Sequence, residues 1–406
     1  MRIVYLCQHF PPETGAPQIR VYEVSKELLA QGHDIQVVTA FPHHPHGIIP
    51  DEYKGKKYEF EKWDGIPVHR TWIYPSKKGT FYKRLVSYFS FTFSSFYGLM
   101  KTGKVDVIIV NSPPIFLGLT GLLGAKLKGA KFVFNVADVW PESAVKLGLV
   151  KNKFFIKLAE ILESFLYKHS WKIATATDGI KSYIINHSQP EDKVFVLPNG
   201  VNTTFFQPEE KNAEYVEKFN LQDKFVFSYG GNLGYAQGLE FILYAAKKMQ
   251  ETIPNAFFLI AGAGPEEQKL HELAKELGLM NIAFLGHLPL KEMPKLFSVT
   301  DVSIVPLRDI QLFEGARPSK IFPAASSGVP VLYCGKGESA EIVTKNNIGL
   351  VAMPENVDSI ADTMFSFVEM DEAVRTEMKE CGRNLALNEY SWVSIVQDLL
   401  HNLTKK

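Results

Sequence analysis

The sequence contains few cysteines and no excess of charge of either sign. Its 406 residues include only Cys7, Cys334 and Cys381, and no two of them have the spacing of a disulfide framework or a zinc-ligand pair. Lys and Arg together number 44, as do Asp and Glu, so the formal net charge is zero. Zero net charge argues against a nucleic-acid-binding protein that depends on bulk positive charge. We therefore expect neither a metal site built on cysteines nor a nucleic-acid partner.

Long apolar runs are also absent. The unusually aromatic segment at residues 81–101 has an uncharged run of about 16 residues, which is shorter than the roughly 20 residues of a membrane-spanning helix. The first ten residues, MRIVYLCQHF, enter a strand-like run without the apolar core and cleavage site of a signal peptide. We therefore expect a cytoplasmic protein.

The chain instead alternates short β-branched runs with longer amphipathic ones. RIVYLC is followed by a helical pattern that ends at Gly32, and then by DIQVVTA. This order predicts a parallel, doubly wound sheet. Further strands are predicted at residues 105–111, 131–137, 171–177 and 193–198, and a hairpin at residues 56–74.

A second α/β pattern follows a turn-rich break at residues 198–210. Its predicted strands are residues 225–230, 256–262, 282–286, 302–306 and 329–333. We therefore predict two Rossmann-like domains, at residues 1–200 and 201–385, and a C-terminal helix within residues 386–406 that can cross back to the first domain. Two such parallel sheets would face an interdomain cleft, and ligands bind beyond the carboxyl ends of the strands.

Two motifs of the first half follow predicted strands. In PPETGAPQIR, Gly15 lets the backbone approach a ligand at the start of a helix, although the spacing is not that of a dinucleotide fingerprint. In VADVWPES, Asp138 and Glu142 lie beside Trp140, and a carboxylate here can orient or deprotonate a sugar hydroxyl. The alternatives are an ordinary strand-to-helix turn for the first motif and a helix N-cap at Asp138 for the second.

Two basic, amphipathic segments are candidates for membrane contact. Residues 81–101 carry eight aromatic side chains, and their uncharged run is flanked by Lys83, Arg84, Lys101 and Lys104. Residues 151–172 form a second candidate. Such segments suit helices that lie in the membrane interface. The alternative is that both are core helices of the sheet domain.

Glycine-rich turns and a cationic loop follow predicted strands of the second half. SYGGNLGYAQGLE and AGAGPEE open the backbone to a phosphate or a sugar. In FEGARPSKIFPAASSGVPV, we predict that Ser319 caps a helix beginning at Lys320, with Pro323 at the edge of its first turn. Arg317 and Lys320 would then flank free helix N–H groups and form a site for an anion such as a diphosphate. The alternative is a surface loop with scattered basic residues.

Taken in order, these motifs resemble the family 4 retaining glycosyltransferases of the two-domain GT-B fold. The resemblance extends over nearly the whole chain, from PPETGAPQIR through VADVWPES, LPNGVN, GGNLGYAQGLE, AGAGPEE and FLGHLP to RPSKIFPAASSGVPVL. The combination of DVWPES, GNLGYAQG and PSKIF is most similar to transferases of colanic-acid and O-antigen biosynthesis, which include fucosyl and N-acetylfucosaminyl transferases.

The resemblance implies a division of roles. The first domain would bind the acceptor through Thr14, Trp140 and Glu142, and catalysis would depend on Asp138, Gly15 and Lys320. The second domain would bind a UDP- or GDP-sugar donor. The implied donor site comprises Gly231, Asn232, Gln237, Gly264, His287, Leu288, Glu314, Gly315, Arg317, Ser319 and Lys320. Neither a metal nor a cofactor is expected, because protein cations offset the leaving charge and the nucleotide-sugar is itself a substrate.

This chain departs from the family pattern in two places. Many relatives have an Arg and a Lys in the glycine-rich turn, where this chain has Asn232 and Gln237. Relatives also have a Glu-x7-Glu pair, which falls here on Gly315 and Pro323, so the ribose-binding carboxylate is missing. The phosphate-binding charge is therefore expected to come from the cationic loop described above.

The leading hypothesis is a hexosyl-type transferase that retains the anomeric configuration. It would act on a lipid-linked acceptor of surface polysaccharide at the inner face of the cell membrane. The missing carboxylate pair leaves open a non-catalytic partner subunit that binds a sugar nucleotide. A sugar-nucleotide 2-epimerase on the same fold is a third hypothesis.

Overall fold

The computed structural model describes residues 1–13, 15–44, 47–76, 81–139, 152–187 and 189–405. The chain forms two compact units. The first comprises Met1–Asn199 with Ile395–Lys406, and the second comprises Gly200–Ser394. Each unit contains one sheet, with helices packed against it.

The first unit is built on an eight-stranded sheet of order β3-β4-β2-β1-β5-β6-β7-β8. Its strands are β1 Arg2–Leu6, β2 Asp34–Ala40, β3 Tyr58–Trp63, β4 Ile66–Thr71, β5 Val107–Ser112, β6 Lys131–Val136, β7 Lys172–Thr175 and β8 Val194–Val196. All neighbours pair in parallel except β3 and β4, which form the predicted hairpin. Its turn residues, Asp64 and Gly65, have φ of 46° and 83°, as an Asp-Gly turn of type I′ requires.

Apolar side chains on both faces of the central strands explain the parallel sheet. Every residue of β5 is buried, and so is every residue of β6 after Lys131. Strands buried on both faces need helices on both faces. Those of this unit within the described residues are α1 Ala16–Ala30, α2 Phe81–Lys101, α3 Leu117–Lys128, α4 Lys153–His169 and α5 Asp178–Asn186, and the chain's last helix extends into it.

The second unit is built on a six-stranded sheet of order β11-β10-β9-β12-β13-β14, parallel throughout. Its strands are β9 Phe225–Gly230, β10 Ala256–Ala261, β11 Ile282–Gly286, β12 Val302–Pro306, β13 Val331–Cys334 and β14 Gly349–Ala352. The first five occur where strands were predicted, and β14 was not predicted. The chain leaves β9 toward β10 on one side and later returns to β12 on the other. This reversal is the position at which doubly wound sheets bind ligands.

Helices cover both faces of this second sheet. They are α6 Ala213–Lys218, α7 Leu239–Thr252, α8 Glu267–Glu276, α9 Met293–Ser298, α10 Ile321–Ser326, α11 Glu338–Lys345, α12 Val357–Glu369 and α13 Glu372–Asn388. A final helix, α14 Trp392–Thr404, begins in the second unit and continues into residues assigned to the first. The core under α7 includes Phe227 and Phe258, whose rings stack 5.2 Å apart.

Candidate functional site

The glycine-rich turn after β9 lies directly against the side chain of Lys320. Gly231 has φ of 153°, and a β-carbon built on it would lie 2.1 Å from Cε of Lys320. The lysine stem therefore occupies the space that any larger residue would need. This contact joins the ends of β9 and the segment after β12, at the reversal of strand order.

The turns after β9 and β10 are in direct backbone contact. The amide of Gly231 donates to the carbonyl of Ala261 at 2.9 Å, and the amide of Leu233 donates to Ala263 at 3.0 Å. A β-carbon on Gly262 would lie 1.8 Å from the carbonyl oxygen of Gly231. One on Gly264 would lie 2.3 Å from the carbonyl oxygen of Leu233. Glycine is thus required where these backbones meet.

Lys320 is a half-buried, partly desolvated cation without a counter-ion in the described part of the chain. Its ammonium lies 5.4 Å from the ring centroid of buried Tyr229. Burial lowers the pKa of Lys320, and no described acidic group raises it. A buried charge is costly unless it is paired. The site is therefore suited to an anion that the chain itself does not supply.

Arg317 differs from Lys320 because the chain neutralises it. Its guanidinium forms an ion pair with Glu338 at the start of α11, with Nε 2.9 Å from Oε1. The Arg317 side chain is only 5% exposed and lies 5.8 Å from the ring centroid of Tyr390. The two cations predicted as one phosphate clamp thus have different surroundings.

The prediction that Ser319 caps the following helix is wrong. The helix α10 begins at Ile321, and Lys320 is its N-cap residue, with helical backbone angles of −70° and −25° and no side-chain cap. The amide of Ile321 donates to the carbonyl of Pro318 at 3.3 Å. The chain therefore already turns before the helix, so exposed Ser319 belongs to that turn. Pro323 is the third helical residue, where a missing N–H leaves no helical bond unmade.

Asn232 and Gln237 occupy the positions of the glycine-rich turn at which the family resemblance implies cations. The Gln237 side chain accepts from the amide of Gly234 at 3.2 Å. The Tyr229 hydroxyl donates to the carbonyl of Asn232 at 2.6 Å. Both residues thus help to fix the turn beside Lys320.

Arg308, which sequence reasoning missed, holds the other end of this turn. Its Nε donates to the carbonyl of Tyr235 at 2.7 Å, and its guanidinium lies 4.1 Å from the Tyr235 ring centroid. The same guanidinium pairs with Glu240 and with Glu355, the latter at 2.6 Å. The only sequence feature that could have indicated this role is the position of a cation shortly after β12. With two carboxylate partners, Arg308 braces the turn.

The remaining residues of the implied donor site lie in the loops that follow β11 and β12. Exposed His287 and half-buried Leu288 follow β11, and the amide of Gly262 donates to Gly286 at 2.7 Å. Glu314 and Gly315 are exposed in a 3-10 turn after β12. All of these loops extend from the carboxyl edge of the sheet.

In the first unit, Gly15 and Asp138 lie in loops after β1 and β6, at the carboxyl edge of that sheet. Gly15 precedes α1 with φ of 154°, and a β-carbon there would lie 2.6 Å from Oε1 of Gln18. Asp138 is exposed. Thr14, Trp140 and Glu142 lie outside the described residues.

A histidine–glutamate cluster at the same edge was not predicted from the sequence. Buried Glu13 accepts from the amides of His43 and His44, each at 2.7 Å, and lies 2.7 Å from Nδ1 of His9. Burial alone would raise the pKa of Glu13, but the hydrogen bond and charge of His9, with the amide of His43, lower it. Nδ1 of His43 lies 2.9 Å from the carbonyl oxygen of Phe41.

In the described residues, only His9, Glu13 and His43 are grouped closely enough to hold a metal ion. However, Glu13 is already occupied by backbone and imidazole hydrogen bonds. The cluster ties the β1 loop to the loop after β2 and thereby positions the segment that leads to Gly15. Its only sequence signal was a set of histidines at two strand ends.

Two family models match the chain in succession. Residues 15–200 match the glycosyl transferase 4-like domain, and residues 211–385 match the glycosyl transferases group 1 domain. Together they span both units. The chain belongs to the glycosyltransferases.

A curated relative agrees with this assignment, and solved structures share the fold. The chain is 27% identical to the Escherichia coli K12 protein WcaI, named for colanic acid biosynthesis glycosyl transfer, over 88% of this chain and 89% of that one. Its fold is similar to sucrose-phosphate synthase from Thermosynechococcus elongatus, with a TM-score of 0.75, 16% identity and coverage of 99% and 98%. It is also similar to Anabaena HepE in complex with UDP and glucose, with a TM-score of 0.72, 16% identity and full coverage of both chains. These likenesses confirm the predicted GT-B fold of this glycosyltransferase.

Proposed function

We propose that this glycosyltransferase moves a hexosyl group from a UDP- or GDP-sugar to a lipid-linked acceptor in surface-polysaccharide biosynthesis, with retention of anomeric configuration. The donor assignment rests on Lys320. This partly desolvated cation has no acidic partner among the described residues and lies where the strand order of the second sheet reverses. A diphosphate supplies the missing counter-charge. The relative named for colanic acid biosynthesis supports the polysaccharide assignment, and the HepE structure with UDP supports a nucleotide donor.

The turn beside Lys320 offers a second element of phosphate recognition. The backbone amide of Asn232 makes no hydrogen bond to another described residue and is next to Gly231, against which the lysine stem lies. An amide N–H and an ammonium directed at one phosphate act as a preorganised pair of donors. As the sugar leaves, negative charge grows on the diphosphate, so this pair stabilises the transition state more than the bound donor.

This mechanism assigns no step to a metal ion or a cofactor. Lys320 and the turn amides would offset the leaving charge, and Gly15 and Asp138 of the first unit would serve catalysis, as the family resemblance implies. Transfer is then expected to be unchanged by EDTA. A loss of activity with EDTA that Mg²⁺ restores would overturn this part of the proposal.

An apolar helix face in the first unit supports membrane contact. It consists of exposed side chains at helical spacing on α2, α3 and α4, and α3 packs against both of the others. The residues are Val86, Phe89, Phe93, Tyr97, Leu119, Leu123, Leu127, Phe154, Leu158, Ile161 and Phe165. An apolar patch of this extent marks an interaction surface.

The same three helices also carry basic residues. They are Lys83, Arg84, Lys101, Lys126, Lys128, Lys153, Lys157 and Lys168. Among the described helices, none is both long and apolar enough to cross a bilayer. We therefore propose peripheral attachment to the anionic inner face of the cell membrane, where a lipid-linked acceptor would be available.

A non-catalytic sugar-nucleotide-binding subunit is the second candidate. It is favoured by the absence of the carboxylate pair at Gly315 and Pro323. Such a protein would bind the donor at Lys320 without transferring the sugar.

Titration with a panel of UDP- and GDP-sugars, paired with a product assay on polyprenyl-diphosphate saccharides in vesicles, tests the proposal. We expect one donor to bind and its sugar to appear on the lipid with the anomeric configuration retained. Binding without transfer or donor hydrolysis would favour the subunit. Conversion of the donor without acceptor would favour an epimerase, and the absence of any donor binding would overturn the assignment altogether.

A further inference from the structure

A cavity of about 930 Å³ opens in the first unit between the β3–β4 hairpin, the loop that precedes it and α2. We propose that this cavity binds the hydrocarbon chain of an isoprenyl phosphate, the lipid part of the acceptor. The inference rests on the proposed function and adds to it a defined lipid site. The volume is within the range of pockets that enclose most of a small ligand.

The walls of the cavity are apolar and partly open to solvent. Ile48, Trp72 and Tyr97 line it and remain 55%, 41% and 52% exposed. Large apolar side chains are seldom left open in a shared concave surface unless a ligand covers them. The cavity thus favours an apolar occupant.

Three of the four side-chain hydroxyl groups that line the cavity are engaged within the protein, and that of Tyr97 is the fourth. Tyr53 donates to Glu61 at 2.9 Å, and the Tyr58 hydroxyl lies 2.9 Å from Nδ1 of His69. The Ser94 hydroxyl donates to the carbonyl of Trp72. Few polar groups therefore remain to orient a sugar ring, which disfavours a saccharide inside the cavity.

The rim of the cavity is positively charged. Lys54 pairs with Asp51 and Lys56 pairs with Glu59, but Lys57 is exposed and has no acidic partner among the described residues. One uncompensated cation at the edge of an apolar cavity complements a molecule with an anionic head and an apolar tail. An isoprenyl phosphate has this form.

The cavity is continuous with the apolar helix face. Tyr97 lines the cavity and also belongs to that face, which continues along α2 through Phe93, Phe89 and Val86. A lipid chain that enters from a membrane at this face would therefore reach the cavity beside the Tyr97 ring, over which the Lys101 ammonium lies 5.1 Å from the centroid.

Calorimetric titration of the full chain with farnesyl phosphate, kept below its micelle concentration, tests the site without a membrane. We expect saturable binding that Ile48→Glu weakens about tenfold or more, because the carboxylate must be desolvated against the chain. Lys57→Glu at the exposed rim should weaken farnesyl phosphate but not farnesol. The matched variant Phe93→Glu lies on the same helix face outside the cavity and should leave this titration unchanged.

Absence of saturable binding, or wild-type binding by both Ile48→Glu and Lys57→Glu, would overturn the inference. The nucleotide-sugar titration is measured separately on the same protein. If the protein binds a nucleotide-sugar but not farnesyl phosphate, only the cavity assignment is refuted. If it binds farnesyl phosphate but no nucleotide-sugar, the proposed donor function is refuted and the cavity assignment stands.

Discussion

Replacing Lys320 with methionine isolates the charge that we assign to the donor diphosphate. Methionine keeps an unbranched apolar stem beside Gly231 and Tyr229 but removes the ammonium. A hydrogen bond to a charged group contributes about 1.5–3 kcal/mol, which corresponds to a dissociation constant roughly 10- to 150-fold higher. We expect Lys320→Met to weaken UDP- or GDP-sugar binding within this range.

The same substitution should not lower the stability of the ligand-free protein. Burial disfavours the charged form of Lys320 and lowers its pKa, and no described carboxylate offsets that cost. Removing the charge therefore removes a desolvation penalty without breaking an ion pair. The free energy of unfolding should be unchanged or should rise, while donor affinity falls.

Calorimetry of donor binding and urea unfolding without donor measure the two effects separately. Lys275→Met, at the exposed end of α8, provides the matched control and should change neither quantity appreciably. The reasoning is refuted if Lys320→Met binds donor as tightly as wild type. It is also refuted if the variant loses several kcal/mol of stability without donor, since Lys320 would then have a structural partner.

Three further substitutions or conditions test other parts of the structure. Gly262→Ala places a β-carbon 1.8 Å from a backbone carbonyl oxygen and should destabilise the second unit by about 2 kcal/mol or more. Gly315→Ala, whose β-carbon would have nothing within 4 Å, should leave the stability unchanged. Thermal unfolding compares the two variants. Burial lowers the pKa of His69 from 6.5 to about 4, so its contribution to stability is complete above pH 6.5 and is lost as the pH falls toward 4. Between pH 7 and 5, the free energy of unfolding of the wild type, measured with urea, should therefore fall by at most about 2 kcal/mol more than that of His69→Phe. Equal decreases in the two proteins would contradict this. Phe93→Glu should reduce co-sedimentation with anionic vesicles, while Phe60→Glu, exposed on β3, should not; equal binding by both would contradict the membrane assignment.

The strand pattern was predictable because burial on both faces of a parallel sheet leaves a continuous apolar run. VIIVN and FVFSYG are such runs, and both became strands. The strand at Gly349–Ala352 was missed because it begins with glycine, which weakens a strand pattern. The hairpin was predictable because Asp64 and Gly65 suit a turn with two positive φ angles.

Local sequence was insufficient where contacts distant in the chain decide the structure. The run from Ser319 favours a cap by composition, but here a local turn that begins at Pro318 continues into the helix, which starts at Ile321. Arg317 and Lys320 look equivalent in the sequence. The difference between them arises from Glu338, which lies 21 residues after Arg317 and neutralises only that cation.

The cluster around Glu13 was missed for the same reason. Its partners His43 and His44 are separated from it by 30 and 31 residues, and the parallel pairing of β1 and β2 brings them together. Arg308 likewise finds its carboxylates 68 and 47 residues away. Such groups become visible only once the order of the strands is known.

A structure of the protein with bound UDP or GDP, whichever binds in titration, tests the central claim most directly. We expect the β-phosphate within hydrogen-bond distance of Nζ of Lys320, about 3 Å, and beside the amide of Asn232. A diphosphate bound elsewhere, with Lys320 still lacking an anionic partner, would contradict the account.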